Sequence, residues 1–279
     1  MNEHPAMISG LSQIAGDYDA LICDVWGVVH DGVRPHPAAV EALQRFRAAH
    51  GKVVLLSNAP RPPADIALHL EQIGVPADCY DAIVTSGGAA REDIARRTAF
   101  GPLALMHLGP ERDCNLYSGL DVELVGPDKA ALVLCSGLTD DETETVEDYR
   151  PTLTALRGRG LTMICANPDL VVPRGGRILY CAGAIARAYE EMGGEVLYYG
   201  KPHPAIYKET LAAAGAPGRP LVVGDGLLTD IRGANRAGID ALFVVHGVHK
   251  EEIGAETSLE NLFAANAVHA RAAMTMLAW

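Results

Sequence analysis

Short apolar runs alternate with longer amphipathic stretches along almost the whole chain. Runs rich in Val, Ile, Leu and Ala predict strands at 20–24, 52–57, 82–85, 103–108, 131–135, 161–165, 196–199, 220–224 and 241–245. Apolar residues at helical spacing predict helices over 37–49, 63–73, 87–98, 141–157, 181–192, 204–214, 229–237 and 258–276. Strand–helix alternation of this kind builds parallel sheets with crossover helices. Near-continuous apolar strands such as Leu221-Val222-Val223 fit a sheet covered on both faces. Gly51, Gly74 and Gly215 stand where helices close. The expected class is α/β, with a Rossmann-like core of parallel sheet and helices on both faces.

Four polar signals follow strands, and open α/β sheets bind their ligands at that edge. The first is Asp24-Val25-Trp26-Gly27, after Ala20-Leu21-Ile22-Cys23. The second is Ser57-Asn58, with Arg61 in the same loop. The third is Gly200-Lys201-Pro202, just before a helix. The fourth is Gly224-Asp225-Gly226, followed by Asp230. Asp24 and Ser57 lie 33 residues apart, about one βαβ unit. Ser57 and Lys201 lie 144 apart, too far for one crossover. About 100 residues are therefore inserted, with strands and helices of their own. The expected division is a discontinuous core, 1–80 and 183–279, and an inserted α/β domain, 81–182, lying over the strand ends.

Each signal has an ordinary reading beside a chemical one. A lone Asp after a strand is commonly a helix cap, but a carboxylate can also attack phosphorus. Ser57 and Asn58 suit a turn and N-cap, or hydrogen bonds to phosphoryl oxygens. Arg61 is a solvated loop charge or a bidentate phosphate ligand. Lys201 is less easily dismissed. A cation beside a helix N-terminus opposes the helix dipole, so an anion or carboxylate must hold it. Asp225 and Asp230 in a glycine-containing loop suit Mg²⁺, which takes few protein carboxylates. Together these residues make a Mg²⁺-dependent phosphoryl-transfer site.

Composition narrows the setting. Of 279 residues, 49% are hydrophobic and 21% charged, as in ordinary globular proteins. No apolar run approaches the roughly 18 residues of a membrane helix, so no membrane partner is expected. No signal-peptide pattern is visible at Met1-Asn2-Glu3-His4-Pro5. The six cysteines form no CxxC pair and read as reduced, buried thiols, which implies a cytoplasmic protein. A net charge of -12 disfavours nucleic acid but leaves room for an anionic small molecule in a local cationic pocket. His246 and His249 flank a loop as a weaker metal pair, and a subunit contact through the C-terminal helix, hence a homodimer, is compatible with its apolar residues.

The four motifs, in this order and spacing, resemble the haloacid dehalogenase superfamily, most of whose members are phosphatases. The long insertion and Asn167-Pro168-Asp169 within it are similar to its class IIA, the NagD-like group with a large α/β cap. The resemblance implies a phosphatase of a small phosphorylated metabolite, sugar phosphate-like or aryl phosphate. Asp24 would be the nucleophile and Ser57, with Asn58 beside it, would bind the phosphoryl group. Lys201 would neutralise charge. Asp24, Asp225, Asp230 and the Trp26 backbone carbonyl would bind Mg²⁺. In the inserted domain, Asn167, Asp169, Arg174 and Arg177 are the candidate specificity residues.

The family pattern usually has a second Asp where this chain has Trp26. That Asp protonates the leaving oxygen, and an indole cannot. The proton would then come from His30, Asp31 or the inserted domain, or the substrates would have good leaving groups. Alternatively, the chain would bind phosphorylated ligands with little turnover. A haloacid dehalogenase is the remote alternative: those members have an aromatic residue at this position but lack acids such as Asp225 and Asp230.

Overall fold

A computed structural model describes residues 5–174, 177–246 and 258–279. The chain forms two compact units. The first comprises Met1–Ser57, Ala64–Val84 and Lys201–Trp279, and the second Asn58–Pro63 and Thr85–Gly200.

Among the described residues, the first unit carries a seven-stranded sheet. Its order is Ala6–Met7, Ala272–Met274, Asp240–Val244, Pro220–Gly224, Ala20–Asp24, Lys52–Ser57 and Ala82–Thr85. The pairings from Ala6–Met7 across to Lys52–Ser57 are parallel. Leu21, Ile22, Val53, Val54, Leu221 and Leu242 are buried, because both faces of the sheet are covered. Phe243 meets Phe263 of the helix Leu259–Asn266 edge to face, with ring centroids 5.3 Å apart. The middle of the sheet places Asp24 between two neighbours. Val223 pairs with Cys23 on one side, and Leu56 with Asp24 on the other. Asp225 and Ser57 therefore end the strands that flank Asp24.

The second unit has its own parallel sheet, ordered Glu195–Tyr198, Thr162–Cys165, Leu132–Cys135, Leu103–Leu108 and Val122–Leu124. Strand periodicity divides its core into two faces. Val133, Cys135, Met163 and Cys165 pack with Ile185, Ala186 and Tyr189 of the helix Ala182–Glu191. Leu132, Leu134 and Ile164 pack with Ala90 and Ile94 of the helix Ser86–Thr98. A separate antiparallel hairpin joins Val171–Arg174 to Arg177–Tyr180.

Three sequence expectations change. The boundary expected at 182/183 moves to Gly200: Glu195–Tyr198 pairs with Thr162–Cys165, and the helix before it buries its apolar face in the second unit. The helix expected over 141–157 begins later, as a 3₁₀ turn Val146–Tyr149 leading into Arg150–Gly158. A capping box of Thr145 and Asp148 starts the turn, and Pro151 can enter a helix only in its first turn. Glu144, ahead of that turn, accepts bonds from the Asp140 amide at 2.9 Å and the Tyr149 hydroxyl at 2.6 Å. The helix expected over 258–276 stops at Asn266, and Ala272–Met274 becomes a strand that completes the sheet beside Asp240–Val244.

Candidate active site

Asp24, Lys201, Asp225 and Asp230 converge at the carboxyl edge of the first sheet. Asp24 ends its strand, and its Oδ1 accepts the Val25 amide at 2.7 Å. Lys201 precedes the helix Pro204–Ala213, which His203 caps and Pro204 opens. Its Nζ donates to Asp24 Oδ1 at 2.6 Å and to Asp230 Oδ1 at 2.9 Å. The lysine that opposes a helix dipole is thus held by two carboxylates.

Asp230 lies in a π-helical turn, Leu227–Ile231, ahead of the helix Arg232–Ala237. Its Oδ2 accepts the Gly226 amide at 3.1 Å. A side chain at Gly224 would meet Asp230, since a Cβ there would lie 2.2 Å from the Asp230 Cγ. A Cβ at Gly27, whose φ is +85°, would lie 2.3 Å from Asp225 Oδ2. Glycine at these two places lets backbone approach the carboxylates closely. Tyr207 supports the turn by donating toward the carbonyls of Thr229 at 3.3 Å and Asp230 at 3.2 Å. Sequence reasoning passed over Tyr207, whose only signal is its place in the buried stripe of its helix with Ile206 and Thr210.

All four charged residues are buried. Burial pushes the Asp230 carboxyl upward, and the nearby Asp24 charge adds to that. Burial pushes the Lys201 ammonium down, but Asp230 and Asp24 outweigh it and hold the group well above its ordinary value. Asp24, Asp225 and Asp230 each offer one carboxylate oxygen, and these atoms lie within 4.8 Å of one another. Three buried carboxylates around one ammonium carry an excess of negative charge, and the hard oxygen donors fit a divalent cation such as Mg²⁺. Among the described residues, this is the one such grouping of His, Cys, Asp or Glu. His246 is not part of it, and His249 lies outside the described residues.

The remaining first-unit candidates are Ser57 and Trp26. Ser57 is buried at the end of its strand, next to the Asp24 strand. Trp26 is partly buried and forms an isolated bridge with His30. Its indole lies against the loop, so that a Cβ at Gly32 would stand 3.3 Å from Nε1. His30 is buried, and its Nδ1 accepts the Gly32 amide at 2.8 Å. Burial first, then His69 and His36, lower it to about 4, so the ring is neutral at pH 7. Asp31 Oδ1 accepts the amides of Val33 at 2.9 Å and Arg34 at 2.7 Å, and these bonds keep its carboxyl low. Each of these groups is committed to shaping the turn, and neither holds a proton to donate near neutrality.

The other candidates belong to the second unit. The Asn58 amide donates to Asp169 Oδ1 at 2.8 Å, and the Asp169 amide to Asn167 Oδ1 at 3.0 Å. Asn167 and Asp169 thus fix the Asn58 side chain. Arg61 Nε lies 3.8 Å from Asp113 Oδ1. Arg177 is 3.0 Å from Glu142, and both are exposed, so the pair is worth little. Arg174 lies in a hairpin strand.

Comparison with known proteins follows the same lines. A family model described as haloacid dehalogenase-like hydrolase matches residues 21–123, and a second HAD-hydrolase model matches 198–269. D-glycerol 3-phosphate phosphatase of Mycobacterium tuberculosis is 32% identical over 242 residues, covering 86% of this chain and 66% of that protein. Ribonucleotide monophosphatase NagD of Escherichia coli is 30% identical over 241 residues, covering 82% and 88%. A crystal structure of a haloacid dehalogenase-like hydrolase from Brucella suis matches with a TM-score of 0.86 and 43% identity, over 97% of this chain and 100% of that one. Glycerol phosphate phosphatase of M. tuberculosis in complex with magnesium matches with a TM-score of 0.64 and 30% identity, over 90% and 74%. The chain belongs to the haloacid dehalogenase-like hydrolases. Like these relatives, it is a hydrolase of phosphoric monoesters.

Proposed function

We propose that the chain is a Mg²⁺-dependent cytoplasmic phosphatase of a small phosphorylated metabolite and works through an aspartyl-phosphate on Asp24. The observation that carries this reading is the Lys201 ammonium, shared between Asp24 at 2.6 Å and Asp230 at 2.9 Å. That contact holds the Asp24 carboxylate in place beside a cation. One carboxylate oxygen attacks phosphorus and the bond to the ester oxygen breaks. Water then attacks phosphorus, returning free phosphate and the Asp24 carboxylate.

Ser57 donates a hydrogen bond to the phosphoryl oxygens, with Asn58 following it in the chain, and Lys201 spreads the accumulating negative charge. Asp24, Asp225, Asp230 and the Trp26 carbonyl are the groups that would hold the cation. When bound, it would draw together the phosphoryl oxygens and the nucleophile. Asn167, Asp169, Arg174 and Arg177 of the second unit stand as candidate specificity residues. Support for small phosphate esters comes from relatives named for glycerol 3-phosphate and ribonucleotide monophosphates.

Trp26, His30 and Asp31 together favour one refinement. The Trp26 indole has no usable pKa, and His30 and Asp31 are committed to the turn. The leaving oxygen therefore departs best where its anion is stable, as in an aryl phosphate. The same observation supports a second reading, a phosphate-ligand-binding protein with little turnover. Hydrolysis of an aryl phosphate, with and without Mg²⁺, decides between them. Turnover that requires Mg²⁺ and is lost in Asp24→Asn supports the phosphatase. Tight phosphate binding without turnover supports the second reading, and turnover untouched by Asp24→Asn overturns the role of Asp24.

A further inference from the structure

Lys201 and Tyr207 reach one residue from one segment of the first unit. Lys201 Nζ donates to Asp230 Oδ1 at 2.9 Å, and the Tyr207 hydroxyl donates toward the Asp230 carbonyl at 3.2 Å. The side chain and the main chain of Asp230 are therefore each held by the segment that leads into and forms the helix Pro204–Ala213. A carbonyl can only accept, so the direction of the tyrosine bond is fixed. Its one proton is shared with the Thr229 carbonyl at 3.3 Å. Tyr207 and Asp230 are both buried, so these bonds are made out of reach of bulk water.

The turn that carries Asp230 needs such support. A π-helical turn bonds residues five apart, is rare, and occurs mostly as a single turn at a functional place. In Leu227–Ile231 the Gly226 carbonyl accepts both the Asp230 amide at 2.9 Å and the Ile231 amide at 3.1 Å. Asp230 Oδ2 takes the Gly226 amide at 3.1 Å and the Thr229 hydroxyl at 3.3 Å. These bonds lie within the turn and move with it. Lys201 and Tyr207 tie it to a different element.

Gly233 gives the tyrosine its room. It lies in the helix after the turn, Arg232–Ala237, and a Cβ there would collide with the Tyr207 hydroxyl and ring. Glycine inside a helix is costly in backbone entropy, and here its missing side chain lets the phenol reach the turn. Thr210 offers a contrast on the same buried face of the Tyr207 helix. Its hydroxyl donates back to the Ile206 carbonyl at 2.7 Å, a local bond within one helix.

We propose that Tyr207 is a positioning residue of the phosphatase site. With Gly233 making room, it fixes the backbone of the Asp230 turn and so sets where the Asp230 carboxylate meets Lys201 and the cation. Asp24 is affected at one remove, because Lys201 Nζ also bonds its carboxylate. This rests on the reading of Asp230 as a cation-holding residue and deepens it.

The test uses the full chain and reads Mg²⁺ affinity by calorimetry, apart from turnover. Tyr207→Phe keeps the ring and removes the hydroxyl, and it weakens Mg²⁺ binding about tenfold, the worth of one buried hydrogen bond. Thr210→Val removes an equally buried hydroxyl that bonds within its own helix, and it leaves Mg²⁺ affinity where it was. Unchanged affinity in Tyr207→Phe overturns the assignment. Equal losses in Tyr207→Phe and Thr210→Val also overturn it, since they mark a general loosening of the helix. If Tyr207→Phe does not fold, Tyr207→Leu combined with Gly233→Ala, which fills space the ring leaves, carries the same comparison. A native chain that binds no Mg²⁺ overturns this role together with the cation reading. Failure of the nucleophile reading shows separately, as turnover that survives Asp24→Asn.

Discussion

Lys201 Nζ lies 2.6 Å from Asp24 Oδ1, across 177 residues of sequence, and the same nitrogen lies 2.9 Å from Asp230. One ammonium therefore serves two of three buried carboxylates. Charge arranged in this way favours chemistry over stability, because each carboxylate repels the others out of water.

The first prediction follows from that repulsion. Asp24→Asn removes the proposed nucleophile and one buried charge, and leaves Lys201 its bond to Asp230. Activity should fall at least about 10³-fold, while the melting temperature in metal-free buffer rises by a few degrees. Aryl phosphate kinetics and calorimetry measure the two effects. A large loss of stability would mean that the Asp24–Lys201 contact holds the fold rather than the chemistry.

Added Mg²⁺ should reverse the sign for the native chain. Ligands that bind the folded state alone stabilise it by about 2.7 kcal/mol at a hundred times the dissociation constant. The native melting temperature should rise with Mg²⁺ and fall back with a chelator. Asp225→Asn removes one of the three donors grouped within 4.8 Å and should blunt that rise. An undiminished shift in Asp225→Asn would place the cation elsewhere.

Much of this site was legible because its oddities are local. Lys201 beside a helix N-terminus is electrostatically out of place wherever the chain folds, so a partner could be inferred before it was seen. Asp24, Ser57 and Asp225 were legible as polar residues that end apolar strands. The pairing of Glu195–Tyr198 with Thr162–Cys165 was not, because an apolar strand carries no label for its sheet. The contact between His107 and Ser136 was equally hidden. Its members are ordinary single residues scattered over loops and strands, and only the register of two strands brings His107 to Ser136. The bond between Asn58 and Asp169 spans 111 residues, so the Asn167-Pro168-Asp169 motif was visible in sequence while its partner was not.

Acid should destabilise the chain over a definite window. His30 is lowered from 6.5 to about 4, chiefly by burial. The folded state then binds fewer protons than the unfolded state between those values, so stability is complete above pH 6.5 and drains away toward pH 4. For this nearly buried ring the loss is on the order of 3 kcal/mol. His107 in the second unit is lowered to the same value by burial and adds a loss of the same sign. Urea midpoints measured from pH 7.5 to 4 should fall in the native chain and fall less in His30→Gln. Equal slopes in the two proteins would show that His30 titrates normally in the folded state.

Trp26 bears on the range of substrates. Its indole lies close to Gly32, while His30 and Asp31 are spent on the turn that follows it. A leaving oxygen that receives no proton from these groups must depart as an anion, so aryl phosphates should turn over far faster than alkyl phosphates. Trp26→Asp places a carboxyl two residues after Asp24, and general acid catalysis is worth about 10²–10⁴-fold. That substitution should raise turnover of alkyl phosphates such as glycerol phosphates and barely change that of 4-nitrophenyl phosphate. Trp26→Phe should leave the ratio of the two rates where it was. If the native chain already hydrolyses alkyl and aryl phosphates at similar rates, the proton comes from a group outside this loop, and the ratio in Trp26→Asp will not move.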